Sequence, residues 1–166
     1  MRFEIAGVQI FGGIKRVGYV NGINSHPKGE DPDEAGHILM WDFDGVDMWE
    51  TIRELLSQQR KHRLPTIYLL DTNKVFKWDG PEIKSLHAYC FRALPWRDAF
   101  QIVWDTPGVC DTYLKMAFAR GFFTLRFGPK NGRGIDLLLK IPGNPDRENV
   151  DPFGMDNFVR YLTKRS

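Results

Sequence analysis

The 166-residue chain has only two cysteines, Cys90 and Cys110. That is enough for one bridge and too few for the disulfide framework of a small secreted domain. It has no Cys-x-x-Cys pair, and His87 and Cys90, three residues apart on an expected strand, point to opposite faces. Zinc is therefore not expected. Long hydrophobic runs are missing as well. Ile38-Leu39-Met40-Trp41 falls far short of the ~18 apolar residues that suggest a membrane-spanning helix, so no membrane is expected among the partners. The opening Met1-Arg2-Phe3-Glu4 has an acid where a secretory signal has bases, and a cytoplasmic, thiol-reducing setting is the expectation. Internal repeats, low-complexity runs and long linkers are absent too. Net charge is small: 23 basic and 21 acidic side chains leave +2. What is plentiful is core-forming material, 42% apolar and 13% aromatic, which excludes a disordered tail.

The small net charge conceals a segregation. Between Lys28 and Glu50 the acids Glu30, Asp31, Asp33, Glu34, Asp42, Asp44, Asp47 and Glu50 face one base. From Thr112 to Lys140 the balance inverts, with Lys115, Arg120, Arg126, Lys130, Arg133 and Lys140 against Asp136 alone. An acidic part beside a basic part suits a site that holds both a cation and an anion, although two solvated faces would give the same pattern.

Periodicity and punctuation predict alternating strands and helices. Strands are expected over Phe3–Phe11 (or a hairpin), His37–Phe43, Thr66–Leu70 and Lys84–Phe91, and a strand pair over Gly121–Phe127 and Ile135–Ile141. Helices are expected over Asp47–Arg60, Arg97–Trp104, Asp111–Ala119 and Asp151–Lys164, and loops over Asn21–Glu34 and Asn73–Pro81. On the first helix Trp49, Ile52, Leu55, Leu56 and Gln59 share a face, and Trp41 and Trp49 are expected in the core. The whole chain, 1–166, reads as a single α+β (α/β) domain. Within it, 1–36 forms an N-terminal strand or hairpin with an acidic loop, 37–141 a core, and 142–166 a C-terminal loop and helix.

Three constellations carry chemistry. In the first, Asp42-Phe43-Asp44-Gly45 ends an apolar strand. Strand alternation puts both carboxylates on one face, where they repel unless a cation sits between them. Mg²⁺ or Mn²⁺ with oxygen ligands would remove that conflict, although the same residues also suit a simple strand-ending turn. In the second, Lys84-Ser85-Leu86-His87 sets a hydroxyl and an imidazole on one strand face, able to grip phosphate oxygens. In the third, Arg126 ends a strand, with Lys130 and Arg133 on a Gly-rich turn. An arginine fork and a lysine point charge both suit phosphate. The third would equally suit a solvated hairpin tip, and a single histidine a core position.

In this order the three resemble the archaeo-eukaryotic primase superfamily, in the small primase-polymerase form found in plasmids, phages and mobile elements. The family shows an apolar run ending in DxD, then SxH, then an apolar residue followed by an acid, then a strand with Arg and a nearby Lys. The resemblance spans roughly His37 to Lys140. It implies a primase-like catalytic core of mixed sheets, with an RRM-like half and flanking helices. It further implies primer synthesis on single-stranded DNA from nucleoside triphosphates. Asp42, Asp44 and a third acid would hold two Mg²⁺ or Mn²⁺ ions, and Lys84, Ser85, His87, Arg126 and Lys130 would hold the nucleotide. For the third acid Asp105 and Asp111 both follow an apolar residue. Asp111 is preferred because it leads into the Arg126 strand, whereas Asp105 precedes a turn. Arg92, Arg97 and Arg133 are candidates for nucleic-acid contact, and Trp78 for base stacking. No zinc module is implied, and a separate helicase or replication initiator would be the protein partner. Two other readings stand beside this one. Asp42-Phe43-Asp44-Gly45-Val46 also resembles the nucleophile motif of haloacid-dehalogenase-type phosphatases, and a non-catalytic RRM-like nucleic-acid-binding module would use the bases alone.

Overall fold

A computed structural model describes residues 2–5, 8–11, 17–74, 83–129, 133–151 and 156–164. Trp78 and Lys130 lie outside the described residues. The chain runs β1 (Arg2–Ile5), β2 (Val8–Phe11), β3 (Val17–Asn24), β4 (His37–Val46), α1 (Met48–His62), β5 (Ile67–Asp71) and β6 (Lys84–Leu94). It continues α2 (Trp96–Trp104), α3 (Asp111–Arg120), β7 (Thr124–Arg126), β8 (Asp136–Ile141), a short 3₁₀ turn (Pro145–Arg147) and β9 (Phe158–Lys164). This is a mixed α+β architecture. β1 and β2 form a hairpin, β7-β3-β9 a three-stranded sheet and β4-β6-β5-β8 a four-stranded sheet, and every pairing is antiparallel. None of the described helices is long and apolar enough to cross a membrane.

The strand over 37–46 forms because its apolar residues have somewhere to go. Ile38, Leu39, Met40, Trp41 and Phe43 are all buried, and burying a large side chain contributes about 1.5–3 kcal/mol. The Trp41 indole N–H is not wasted, donating to Thr106 Oγ1 at 2.9 Å. α1 starts at Asp47, whose carboxylate accepts from the Glu50 N–H at 2.8 Å, satisfying one of the unpaired amides of the first turn. It ends on Arg63 in the left-handed region, φ 49°. α3 ends on Gly121, φ 77°, a conformation that costs glycine little.

Four expectations need correction. The 151–164 segment does not form the expected helix, because 158–164 is β9, paired along β3 from Val17↔Lys164 to Ile23↔Phe158. Phe158, Val159, Tyr161 and Thr163 are good strand formers, and sheet pairing overrides the weak helical periodicity. The loop expected from Asn21 begins only after Asn24, because β3 is the central strand of its sheet. Its Gly and Asn residues are held by partners on both sides: the Thr124 hydroxyl donates to Asn24 Oδ1 at 2.8 Å, and Asn157 Nδ2 donates to the Asn24 carbonyl at 2.9 Å. β7 and β8 are not a pair. β7 joins β3 and β8 joins β5, so the two strands belong to different sheets and do not form one hairpin. Finally, Trp49 is 68% exposed. The rest of the expected face does turn inward: Leu55 and Gln59 are buried, Ile52 and Leu56 pack against the core, and the stripe also takes in Thr51 and Gln58, whose side-chain amide donates to the Asp105 carbonyl at 3.0 Å.

Candidate active site

The two acidic positions and the Ser-x-His pair lie on neighbouring strands in direct register. β4 and β6 run antiparallel with Asp42 opposite His87 and Asp44 opposite Ser85. Residues directly opposite share a face of the sheet, so all four side chains project together while Phe43 and Leu86 sink into the core behind them. Ser85 Oγ donates to Asp44 Oδ1 at 2.7 Å.

Above this face lies a cavity of about 1100 Å³, lined by Asp42, Asp44, Ser85 and His87 from one side. Arg126 enters from β7, with Arg133, Thr124 and Asn24 beside it, and α3 contributes Tyr113, Met116 and Arg120. Arg126 is oriented by carbonyls, donating to Gly128 at 3.1 Å, Thr72 at 3.3 Å and Arg133 at 3.4 Å. Its own carbonyl accepts from the Tyr89 hydroxyl at 3.2 Å and lies 3.1 Å from His87 Nδ1. A carbonyl can only accept, so His87 carries its proton on Nδ1 and presents the Nε2 lone pair to the cavity.

The two aspartates sit in opposite electrostatic states. Burial, reinforced by the neighbouring Asp44 carboxylate, pushes Asp42 up to about 7. Partial burial opposes ionisation of Asp44, yet hydrogen bonds from Lys74 and Ser85 hold its pKa below the usual carboxylate value. Lys74 Nζ stands 2.7 Å from Asp44 Oδ1. His87 Nε2 stands 3.5 Å from Asp42 Oδ1. Burial, with the Arg126 guanidinium second, lowers His87 to about 4. The imidazole is therefore neutral at pH 7, and this approach is not an ion pair.

Asp42, Asp44 and Cys110 each offer a ligand atom, all within 4.8 Å of one another, a possible metal-binding group. The carboxylates suit a hard divalent cation. Cys110 is fixed by its own backbone, its N–H donating to the Asp42 carbonyl at 2.8 Å on the open edge of β4. Tyr113, one turn into α3, donates its hydroxyl to the Met40 carbonyl at 2.9 Å on the same edge.

Several expected residues stand elsewhere. Asp111 is exposed in the first turn of α3, outside the cavity lining. Asp105 caps α2, accepting from Gln101 at 2.7 Å and facing Lys61 at 3.7 Å. Lys84 turns to Asp71, 3.1 Å away. Arg92 donates to the His62 carbonyl at 3.0 Å beside a separate small cleft, and Arg97 is exposed on α2. The sequence reading missed Lys74, Arg120, Tyr113 and the ligand atom of Cys110. For Cys110 the signal was its position between the apolar Val109 and Asp111; the others have only their place in the fold. No family model matches this chain, and no curated protein or solved structure matches it either.

Proposed function

We propose that the chain is a template-directed nucleotidyltransferase of the primase-polymerase kind, with the catalytic core of the archaeo-eukaryotic primases that its motifs resemble. The observation that supports this is the cross-strand register of Asp42 with His87 and Asp44 with Ser85, facing Arg126 across one cavity. Motifs separated by some forty residues of sequence line one cavity as an acidic wall and a cationic wall. A non-catalytic binding module would use the bases alone and gives no role to the paired Asp42 and Asp44.

Primer synthesis joins a 3′-hydroxyl to an α-phosphate and releases pyrophosphate, so the protein contributes mainly position and charge. Asp42 and Asp44 would hold Mg²⁺ or Mn²⁺, which neutralises phosphate charge and activates the attacking oxygen. Arg126, pre-oriented by three carbonyls, brings a positive guanidinium to the cavity, where it would attract phosphate oxygens. Ser85 keeps Asp44 ionised and aimed. His87, neutral and buried, fixes the Arg126 backbone through its Nδ1–H. Arg120 and Arg133 extend the positive rim for a single-stranded DNA template, and unwinding would come from a separate helicase or replication initiator. The reading rests on Asp42 and Asp44 and needs no third carboxylate from Asp111.

The test is incubation with an unprimed single-stranded template, nucleoside triphosphates and Mg²⁺ or Mn²⁺. Labelled oligonucleotides are the expected product. Extension only when a primer is supplied would narrow the activity to polymerisation. Absence of incorporation in both formats would overturn the assignment and favour the binding module.

A further inference from the structure

The group at the edge of β4 is not an all-oxygen site. Its third ligand atom is the Cys110 sulfur, delivered by the extended residue that caps α3 and anchored through the 2.8 Å backbone bond to Asp42. Beside it, His87 is 6% exposed. Its Nδ1–H is taken by the Arg126 carbonyl, and its Nε2 receives no hydrogen bond from any described residue. That lone pair looks toward Asp42 Oδ1 across 3.5 Å. Asp42, Asp44 and Cys110 each bring a ligand atom to within 4.8 Å of the other two, so the geometry gathers two carboxylates and one thiol around a single point.

We propose that Cys110 is a metal ligand, making this a mixed carboxylate-thiolate centre that takes Mn²⁺, Co²⁺ or Zn²⁺ in preference to Mg²⁺. Magnesium is a hard ion that seeks oxygen and keeps its water, whereas thiolate donors select softer ions. Binding replaces the Cys110 S–H bond by a sulfur–metal bond, and the proton leaves to solvent. The other cysteine, Cys90, is buried in the core among apolar residues and takes no part. The inference concerns the metal preference of the proposed catalytic site and rests on that site holding a metal, but not on which reaction follows.

The experiment uses the full chain, titrated with Co²⁺ and followed in the near ultraviolet, where thiolate-to-cobalt charge transfer absorbs. One equivalent should develop the band. Cys110→Ser should abolish it and weaken Co²⁺ binding roughly 10- to 100-fold, comparable to losing an important partner at a metal site. Cys110→Asp should move the preference toward Mg²⁺. Alkylation of the wild-type protein with iodoacetamide, read by peptide mass, gives a measurement free of any folding defect: Co²⁺ or Zn²⁺ should protect Cys110. Calorimetric Mn²⁺ binding without a cobalt band or protection would remove Cys110 from the centre and leave the carboxylate site standing. No divalent binding of any kind would overturn both this inference and the metal-dependent reading. A cobalt band with no nucleotide incorporation would uphold the thiolate centre and sink only the polymerase assignment.

Discussion

The two walls of the cavity are built by different physics. The acidic wall, β4 with β6, stands on a buried apolar layer: Trp41, Phe43, Leu86 and Ala88 are fully buried behind it. The basic wall hangs on β7, three residues long, and Arg126 there is fixed by hydrogen bonds to carbonyls contributed by Thr72, Gly128 and Arg133. A wall held by packing can tolerate an unfavourable group such as the poorly solvated Asp42, because the core offsets the cost. A wall held by polar contacts positions a charge finely but contributes less to stability. The acidic wall therefore carries the strain of the site, and the basic wall carries its adjustability.

Removing the chemistry from the packed wall while leaving its packing intact should have the largest effect. Asp42→Ala with Asp44→Ala should reduce nucleotide incorporation by about a thousandfold or more, the scale of losing charge stabilisation at a reacting phosphate. Circular dichroism should stay native. Retained synthesis by this double variant would contradict the active-site assignment.

Packing itself is tested next. Phe43→Ala should lower unfolding free energy by about 3–5 kcal/mol, whereas Leu125→Ala, in the short β7, should cost no more than the lower end of that range. Equal losses in denaturant titrations would erase the distinction between the walls.

The strain on Asp42 has a pH signature in metal-free protein. Its folded-state pKa of about 7 lies above the ordinary aspartate value of 3.8, so the native state resists ionisation. Stability is greatest while the group is protonated and falls as pH rises from about 4 to 7, by at most about 4 kcal/mol at ~1.4 kcal/mol per unit. Asp42→Asn should remove that loss, becoming more stable than wild type at pH 8 while incorporating no nucleotide. His87 acts with the opposite sign: lowered from 6.5 to about 4, it withdraws stability as pH falls through that interval. A pH-independent difference between Asp42→Asn and wild type would refute the strained carboxyl.

The smallest effect belongs to the polar wall. Arg126→Lys keeps the charge but loses the planar fork. Expected is a roughly tenfold rise in KM for nucleotide, near the ~1.4 kcal/mol that corresponds to tenfold, with little change in melting temperature. A large drop in stability would show that β7 depends on this side chain more than its hydrogen bonds suggest.

Much of the acidic wall was legible in advance. His37–Phe43 and Lys84–Phe91 are apolar enough to demand burial, and strand alternation alone puts Asp42 with Asp44 and Ser85 with His87. The basic wall was half legible. Arg126 was found from its type and position, but its partner strand was not, because three-residue β7 has too little periodicity to announce that it pairs with β3. β9 was mistaken for a helix for a related reason: a strand stabilised by a distant partner need not show it locally. Asp111 follows an apolar residue and leads into the Arg126 strand, but it is Cys110 that lines the cavity. Whether Cys110 or Asp111 faces the cavity depends on how α3 is rotated at its start, and the Cys110 amide settles that by bonding to β4.

The small net charge proved to be the sum of two clusters, and the sequence by itself determined that much: apolar runs that must be buried, the alternating face that carries each acid, and the segregation of acids from bases. These follow from solvation and strand geometry, which act over a few neighbouring residues. Only the tertiary structure decided that Asp42 meets His87, that Lys74 approaches Asp44, and that a cysteine joins the aspartates. Those depend on strand register and helix rotation, set by the packing of residues far apart in the chain.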